Sequence, residues 1–309
     1  MSMTTAELLA QAGAHMLKSY KQPALVMTRG EGCRLYDTEG RAYLDLYAGI
    51  AVCALGHAHP AMVKAITEQA QRLVHIANVY YNDKQIELAT QLSARTGLDR
   101  VFFCNSGAEA NEASVKLARR YQREVVNQPQ RIEVLAFEGS FHGRTVATVA
   151  LTGQEKYRSG FGPLIEWARY LPWPEHENDQ RALDRVTQDS CAVLIEPIQA
   201  EGGIRVPPPS FLRALRQRCD ETGTLLIFDE VQTGVGRTGT FWGHQAEGVA
   251  PDILSSAKGL GGGVPIGAML ARDPVARAFT PGSHASTFGG NPLAMAAALA
   301  VFEAIEADD

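Results

Sequence analysis

Residues 224–234 read TLLIFDEVQTG. Thr224 and the apolar run Leu225–Phe228 describe a strand buried on both faces, because the run is continuous rather than alternating. Two carboxylates, Asp229 and Glu230, follow at once. An unpaired carboxylate in such a place costs several kcal/mol, so the strand end requires a cationic partner.

Further strands of the same kind lie on either side. RVFFCN (100–105), IEVLAF (132–137), CAVLIEP (191–197), DILSSA (252–257) and PIGAMLA (265–271) alternate with helical stretches such as SGAEANEASVKLARRYQREV (106–125) and SFLRALRQRCDETG (210–223). This pattern predicts an α/β fold with a mostly parallel sheet covered by helices. Ligands in such sheets sit beyond the carboxyl ends of the strands, where Asp229, Asn105-Ser106-Gly107, Glu138-Gly139 and Glu196-Pro197 all fall. Upstream, residues 24–47 read as short antiparallel strands separated by Glu-Gly and Asp-Thr-Glu-Gly turns. Helices are expected from Pro60 and over about 83–95, after a short amphipathic helix near the N-terminus.

Composition narrows the function. With 34 acidic and 29 basic residues and a formal charge of -5, the chain has no basic footprint for nucleic acid. No apolar stretch reaches the roughly 18–20 residues of a membrane span, and the N-terminus lacks the order of a signal peptide. Five scattered cysteines without Cys-x-x-Cys spacing read as free thiols of a cytoplasmic protein. GHAHP (56–60) offers His57 and His59 without further ligands at metal-binding spacing, so no metal is expected.

Three stretches can carry chemistry. In SGAEANEA (106–113), Ser106 and Glu109 fit a capping box, and the free N–H groups of the helix start beside Gly107 suit a phosphate. Lys258 precedes five glycines within nine residues, among small apolar neighbours; a desolvated lysine has a lowered pKa and acts as a Schiff-base nucleophile. FEGSFHGRT (137–145) presents the aromatic faces of Phe141 and His142, with Arg144 as a fork for a carboxylate. An apolar strand ending in Asp-Glu also occurs in nucleotide triphosphatases, but these need G-x-x-x-x-G-K-[ST], and Gly-Lys occurs nowhere in the chain. Strand-end Asp, glycine-flanked Lys, helix-start phosphate cradle and planar aromatic together match the needs of pyridoxal 5′-phosphate. On this reading the cation facing Asp229 is the cofactor's pyridinium.

From about Tyr20 onward the chain resembles the class III pyridoxal-phosphate aminotransferases, the acetylornithine, succinylornithine and ornithine enzymes in particular. The resemblance rests on RGEGCRLYDTEGRAYLDLYAGIAVCALGHAHP, FFCNSGAEANEASVKLAR, FEGSFHGRT, LIEPIQAEGG, FDEVQTGVGRTG, AKGLGGGVPIGAM and STFGGNPLA. It implies the type I transferase fold, with residues 1–58 contributing to a small domain and 59–309 forming the large cofactor-binding domain. It also implies a homodimer, and transfer of the terminal amine of N-acetylornithine, N-succinylornithine or ornithine to 2-oxoglutarate. Matching motifs make Lys258 and Asp229 catalytic. Ser106, Gly107, Ala108, Phe141, Glu230, Val231 and Gln232 become cofactor residues, joined by Thr287 reaching into the neighbouring subunit. Arg144, Glu201 and Ser286 become substrate residues, and Tyr20 lies near the substrate entrance. Family chains continue past the position of Asp309 into a C-terminal domain with an arginine for the acceptor carboxylate. The expectation is therefore a complete cofactor site with incomplete acceptor binding. The alternatives are another class III activity, such as 4-aminobutyrate transamination, and an inactive cofactor-binding fragment.

Overall fold

The strand Leu225–Asp229 lies inside a seven-stranded sheet, in the computed structural model, which describes residues 3–21, 23–176 and 179–307. A separate three-stranded sheet precedes it, formed by β1 (Met27–Glu31), β2 (Arg34–Asp37) and β3 (Ala42–Leu44), antiparallel as the turn residues predict. The large sheet contains β4 (Arg100–Cys104), β5 (Glu133–Phe137), β6 (Ala168–Leu171), β7 (Ser190–Ile195), β8 (Leu225–Asp229), β9 (Ile253–Ser256) and β10 (Gly267–Ala271). Its order is β4-β10-β9-β8-β7-β5-β6. Pairs among β6, β5, β7, β8 and β9 are parallel, whereas β10 runs antiparallel to both β9 and β4.

Both faces of the central strands are apolar, and successive residues serve opposite layers. Val134, Ala136, Leu194 and Ile227 pack with Ala113, Leu117 and Ala118 of the Gly107–Arg120 helix. Leu135, Phe137, Val193, Ile195, Leu226 and Phe228 pack on the other side with Phe211, Leu212 and Leu215 of the Phe211–Thr222 helix. Toward the β4 edge, Leu254 and Leu270 meet Leu88 and Leu92 of the Asp83–Thr96 helix and the Pro292–Ala307 helix, whose residues 294–302 are all buried. No helix among the described residues is long and apolar enough to cross a membrane.

Two departures from the sequence expectation have simple causes. β6 went unrecognised because an edge strand of four residues, ARYL, carries too few apolar positions to register. The helix expected over 106–125 is α-helical only to Arg120 and continues as a π-helical turn over Tyr121–Val125. That turn buries Gln122, whose amide donates to the carbonyls of Cys191 (3.2 Å) and Gly223 (3.1 Å).

Sheet topology puts the chemistry-bearing loops on one rim. β4, β5, β7, β8 and β9 end there, and antiparallel β10 begins there, with Gly267 opposite Cys104. A Cβ on Gly267 would come within 2.3 Å of the Ser106 carbonyl oxygen, so only glycine lets β10 pass beneath the loop after β4.

Candidate active site

Asp229, the last residue of β8, is buried at the floor of a cavity of about 380 Å³. Its Oδ2 accepts hydrogen bonds from Asn111 Nδ2 and from His142 Nδ1, both at 2.8 Å, and its Oδ1 accepts from the Val231 N–H at 3.0 Å. Asn111 is fixed in turn: its Nδ2 also donates to the His142 carbonyl (2.9 Å), and its Oδ1 accepts from Ser255 Oγ (2.5 Å). His142 Nε2 is buried without a partner among the described residues. The carboxylate is thus held by donors, yet no Lys or Arg side chain pairs with it among the described residues.

Lys258 lines the same cavity from the loop after β9. Burial lowers its pKa below the usual lysine range, opposed by the charges of Asp229, Glu201 and Glu196. The residue sits at φ +47°, in the left-handed region, a strained backbone of the sort that functional sites retain. Glu196, beyond the end of β7, also lines the cavity, and its Oε2 accepts from the Phe141 N–H at 3.1 Å. Burial, then the neighbouring Asp229 charge, pushes its pKa well above the usual carboxylate range.

The start of the Gly107–Arg120 helix closes one wall. Ser106 Oγ accepts from the Glu109 N–H at 3.2 Å, as the capping pattern predicts. Glu109, however, reaches past Ser106: its Oε2 accepts from the Asn105 N–H at 2.6 Å, which corrects the capping-box expectation. The N–H groups of Gly107 and Ala108 occupy the first two helical positions, which have no intrahelical acceptor, and both residues line the cavity. A Cβ on Gly107 would lie 2.7 Å from Val231 Cγ1, so the helix start approaches the cavity wall more closely than any other residue permits.

Of the residues expected from sequence, Ser106, Gly107, Ala108, Phe141, Arg144, Asp229, Val231, Gln232 and Lys258 line this one cavity. Arg144 lies over the rings of Tyr157 (4.0 Å) and Phe141 (5.5 Å), and no carboxylate pairs with it among the described residues. Glu230 is a correction. Its carboxylate is turned away from the cavity into the core, where it accepts from Thr233 Oγ1, from the N–H groups of Gly243 (3.0 Å) and His244 (2.8 Å), and from His244 Nδ1 (2.7 Å). Period-two alternation puts consecutive residues on opposite sides, so only one member of the Asp-Glu pair can face the rim. Glu201 and Ser286 lie outside the lining; Ser286 Oγ accepts from Asn105 Nδ2 at 3.3 Å. Thr287 is exposed. His57 Nε2 meets Asp45 Oδ2 at 2.7 Å, a structural partnership.

The sequence reading placed Glu196 on the ligand-binding rim without giving it a role, and it missed Asn111 and the link from His142 to Asp229. Asn111 carried one usable signal: it stands four residues after Gly107, on the same helix face, among Ala and Leu positions.

A family model described as aminotransferase class III matches residues 16–309. The chain belongs to the class III aminotransferases. An acetylornithine aminotransferase of Myxococcus xanthus is 52% identical over 298 residues, which cover 96% of this chain and 73% of that protein. A succinylornithine transaminase/acetylornithine aminotransferase of Pseudomonas aeruginosa is 50% identical over 292 residues, 94% of this chain and 71% of that one. Among solved structures, an ornithine aminotransferase of Toxoplasma gondii superposes with a TM-score of 0.93 at 33% identity, covering 99% of this chain and 73% of that one. Class III aminotransferases of this type use pyridoxal 5′-phosphate. The cavity of this aminotransferase suits that group: helix-start N–H groups without an acceptor among the described residues for a phosphate, a buried carboxylate that no described Lys or Arg pairs with, and a desolvated amine.

Proposed function

We propose that this aminotransferase takes the terminal amine of an N-acylated ornithine and passes it to 2-oxoglutarate, with pyridoxal 5′-phosphate held in the cavity that Asp229 and Lys258 share. The observation that carries this reading is that shared lining, with the two side chains supplied by the ends of adjacent strands β8 and β9. When bound, the cofactor supplies an electron sink for the substrate carbon that loses its proton.

The chain's own residues do the rest. Asp229, kept in place by Asn111, His142 and the Val231 N–H, presents a negative charge that favours a protonated ring nitrogen. The N–H groups of Gly107 and Ala108, with Ser106, receive the phosphate. Val231 and Phe141, which line the cavity, would pack against the ring, and Gln232 would offer its amide to the phenolic oxygen. Lys258 Nζ, which burial makes more readily neutral, would hold the cofactor's aldehyde carbon and, once released from it, would move the proton at the substrate carbon bearing the amine. Arg144 is free to clamp the donor's α-carboxylate in bidentate fashion. Support for the donor class comes from the close likeness to acetylornithine and succinylornithine enzymes.

The working unit is proposed to be a homodimer in which Thr287 reaches the neighbouring site. Asn78 Nδ2 ties the Val79–Tyr81 segment to Ser286 and Gly289 through their carbonyls (3.0 and 2.8 Å). Val79, Tyr80, Tyr81 and Phe288 are all exposed in the single chain, an apolar surface of the kind a partner covers.

The test is spectroscopic. The purified protein loaded with cofactor should show visible imine absorbance that N-acetylornithine discharges, and Lys258→Ala should lose the imine signal while remaining folded. Imine absorbance retained in Lys258→Ala, or discharge by 4-aminobutyrate but not by N-acetylornithine, refutes the corresponding part.

A further inference from the structure

The second carboxylate of the Asp-Glu pair lies outside the cofactor cavity, yet it is completely buried, and the donors that reach it come from both ends of one loop. Thr233 Oγ1 donates from three residues on, and the N–H groups of Gly243 and His244, with His244 Nδ1, approach from thirteen and fourteen residues on. Two glycines let the ends come so close: a Cβ on Gly234 would lie 2.8 Å from the Trp242 ring, and one on Gly243 would lie 3.0 Å from Thr233 Cβ. The loop closed in this way, residues 231–242, carries Val235 at φ +57°, a left-handed backbone that β-branched side chains avoid. Val235 is buried, and a Cβ built on Gly259, the residue after Lys258, would lie 3.6 Å from Val235 Cβ, ordinary contact distance. Val235 and Leu260 share one buried cluster with Trp242, Ile266 and Phe302. The turn Lys258–Gly261 therefore rests against Val235, while Lys258 itself sits at φ +47°. Two left-handed non-glycine residues so close together persist only where their surroundings over-determine them.

We propose that Glu230 is a positioning residue for Lys258: by locking both ends of the 231–242 loop it seats Val235 against Gly259 and so fixes the aim of the Lys258 side chain into the cavity. The inference rests on the reading of Lys258 given above and deepens it. The strand's alternation divides the labour of the pair. Asp229 faces the rim, and Glu230, one residue on, faces the core and holds the support beneath the lysine. A buried carboxylate is a costly way to stabilise a fold, since apolar groups of similar volume often do as well. Four hydrogen bonds converging from one loop instead fix a geometry. The Glu230 side chain acts wholly through the loop, without lining the cavity.

The experiment uses two probes, pyridoxal 5′-phosphate and 4-deoxypyridoxine 5′-phosphate, which carries a methyl group where the first has its aldehyde. Lys258 bonds only to the first, its amine adding to the aldehyde carbon with loss of water, so the ratio of the two affinities reads that bond. Both are titrated by fluorescence into the cofactor-free full chain, as wild type, Lys258→Ala, Glu230→Gln and Val235→Gly. Lys258→Ala sets the ratio without the bond. Glu230→Gln keeps the volume but replaces one acceptor oxygen by a donor among donors. Val235→Gly removes the support at a backbone conformation that glycine adopts freely, so it keeps the proposal testable should Glu230→Gln fail to fold. Both variants should lower the wild-type ratio by about tenfold or more, toward that of Lys258→Ala, while leaving the affinity for 4-deoxypyridoxine 5′-phosphate within roughly twofold. A merely structural role would weaken both probes equally; an unchanged ratio in either folded variant overturns the proposal. A wild-type ratio no greater than that of Lys258→Ala would instead remove the lysine from the cofactor, and the positioning role with it.

Discussion

Asn111→Ala tests the support beneath the central carboxylate. Asn111 is almost fully buried and makes three hydrogen bonds, to Asp229 Oδ2, the His142 carbonyl and Ser255 Oγ. Truncation leaves the His142 carbonyl and the Ser255 hydroxyl without their partner, at about 1–3 kcal/mol each for buried groups. Asp229 loses one donor but retains His142 and the Val231 N–H. Water entering from the adjacent cavity would recover part of the loss, so the net expectation is about 2–4 kcal/mol. With a urea m-value near 3 kcal/mol/M, that is a fall of roughly 1 M in the unfolding midpoint of the cofactor-free protein. Ser255→Ala, which leaves Asn111 Oδ1 short of one donor, should cost about 1 kcal/mol and serves as the calibration. A freer Asp229 should also weaken pyridoxal phosphate binding by about tenfold, since each 1.4 kcal/mol of lost alignment is a factor of ten. A midpoint shift for Asn111→Ala no larger than that for Ser255→Ala would refute the reasoning, because Asn111 would then not be the hub of the network.

Gly107→Ala should weaken cofactor binding, measured by fluorescence titration, because the new Cβ would sit 2.7–2.8 Å from both Val231 methyl carbons; Gly107→Ala/Val231→Ala should recover part of the loss, and no recovery would mean that the clash is not the cause. Glu196→Gln should flatten the pH dependence of stability. The folded pKa lies well above the ordinary 4.5, so the folded state holds a proton that the unfolded state lacks in the interval between the two values. Stability contributed by this group is therefore complete below about 4.5 and lost as pH rises through the folded value. Urea midpoints from pH 5 to pH 9 should fall less steeply in Glu196→Gln than in wild type; parallel slopes would count against a protonated Glu196. Arg144→Lys should raise KM for N-acetylornithine far more than it changes the dissociation constant of pyridoxal phosphate, since a point charge replaces a bidentate fork; equal losses would remove Arg144 from the substrate clamp.

How much of this was legible beforehand depends on the range of the interaction that specifies each part. β4, β5, β7, β8, β9 and β10 were readable because each is a contiguous apolar run, a local signal that survives without knowledge of its neighbours. The antiparallel sense of β10 was not readable, because direction depends on where a strand returns after the loop following Ser256, and composition says nothing of that. The same division holds within the site. Lys258, Gly107 and Asp229 could be singled out because glycines, a helix start and a strand end each mark their own stretch. Glu230 was assigned to the site with its neighbour, although it is the alternation of the strand and the donors waiting at Gly243 and His244 that decide its direction. Asn111, His142 and Glu196 acquire roles only through partners that are 118, 87 and 55 residues distant in sequence. The residues proposed to face the cofactor are thus legible singly, while those that hold Asp229 in place become so only once the strands are brought together. Substitutions at Asn111 and His142 should accordingly disturb stability and cofactor affinity together, whereas those at Arg144, proposed above to clamp the donor's carboxylate, should separate the two.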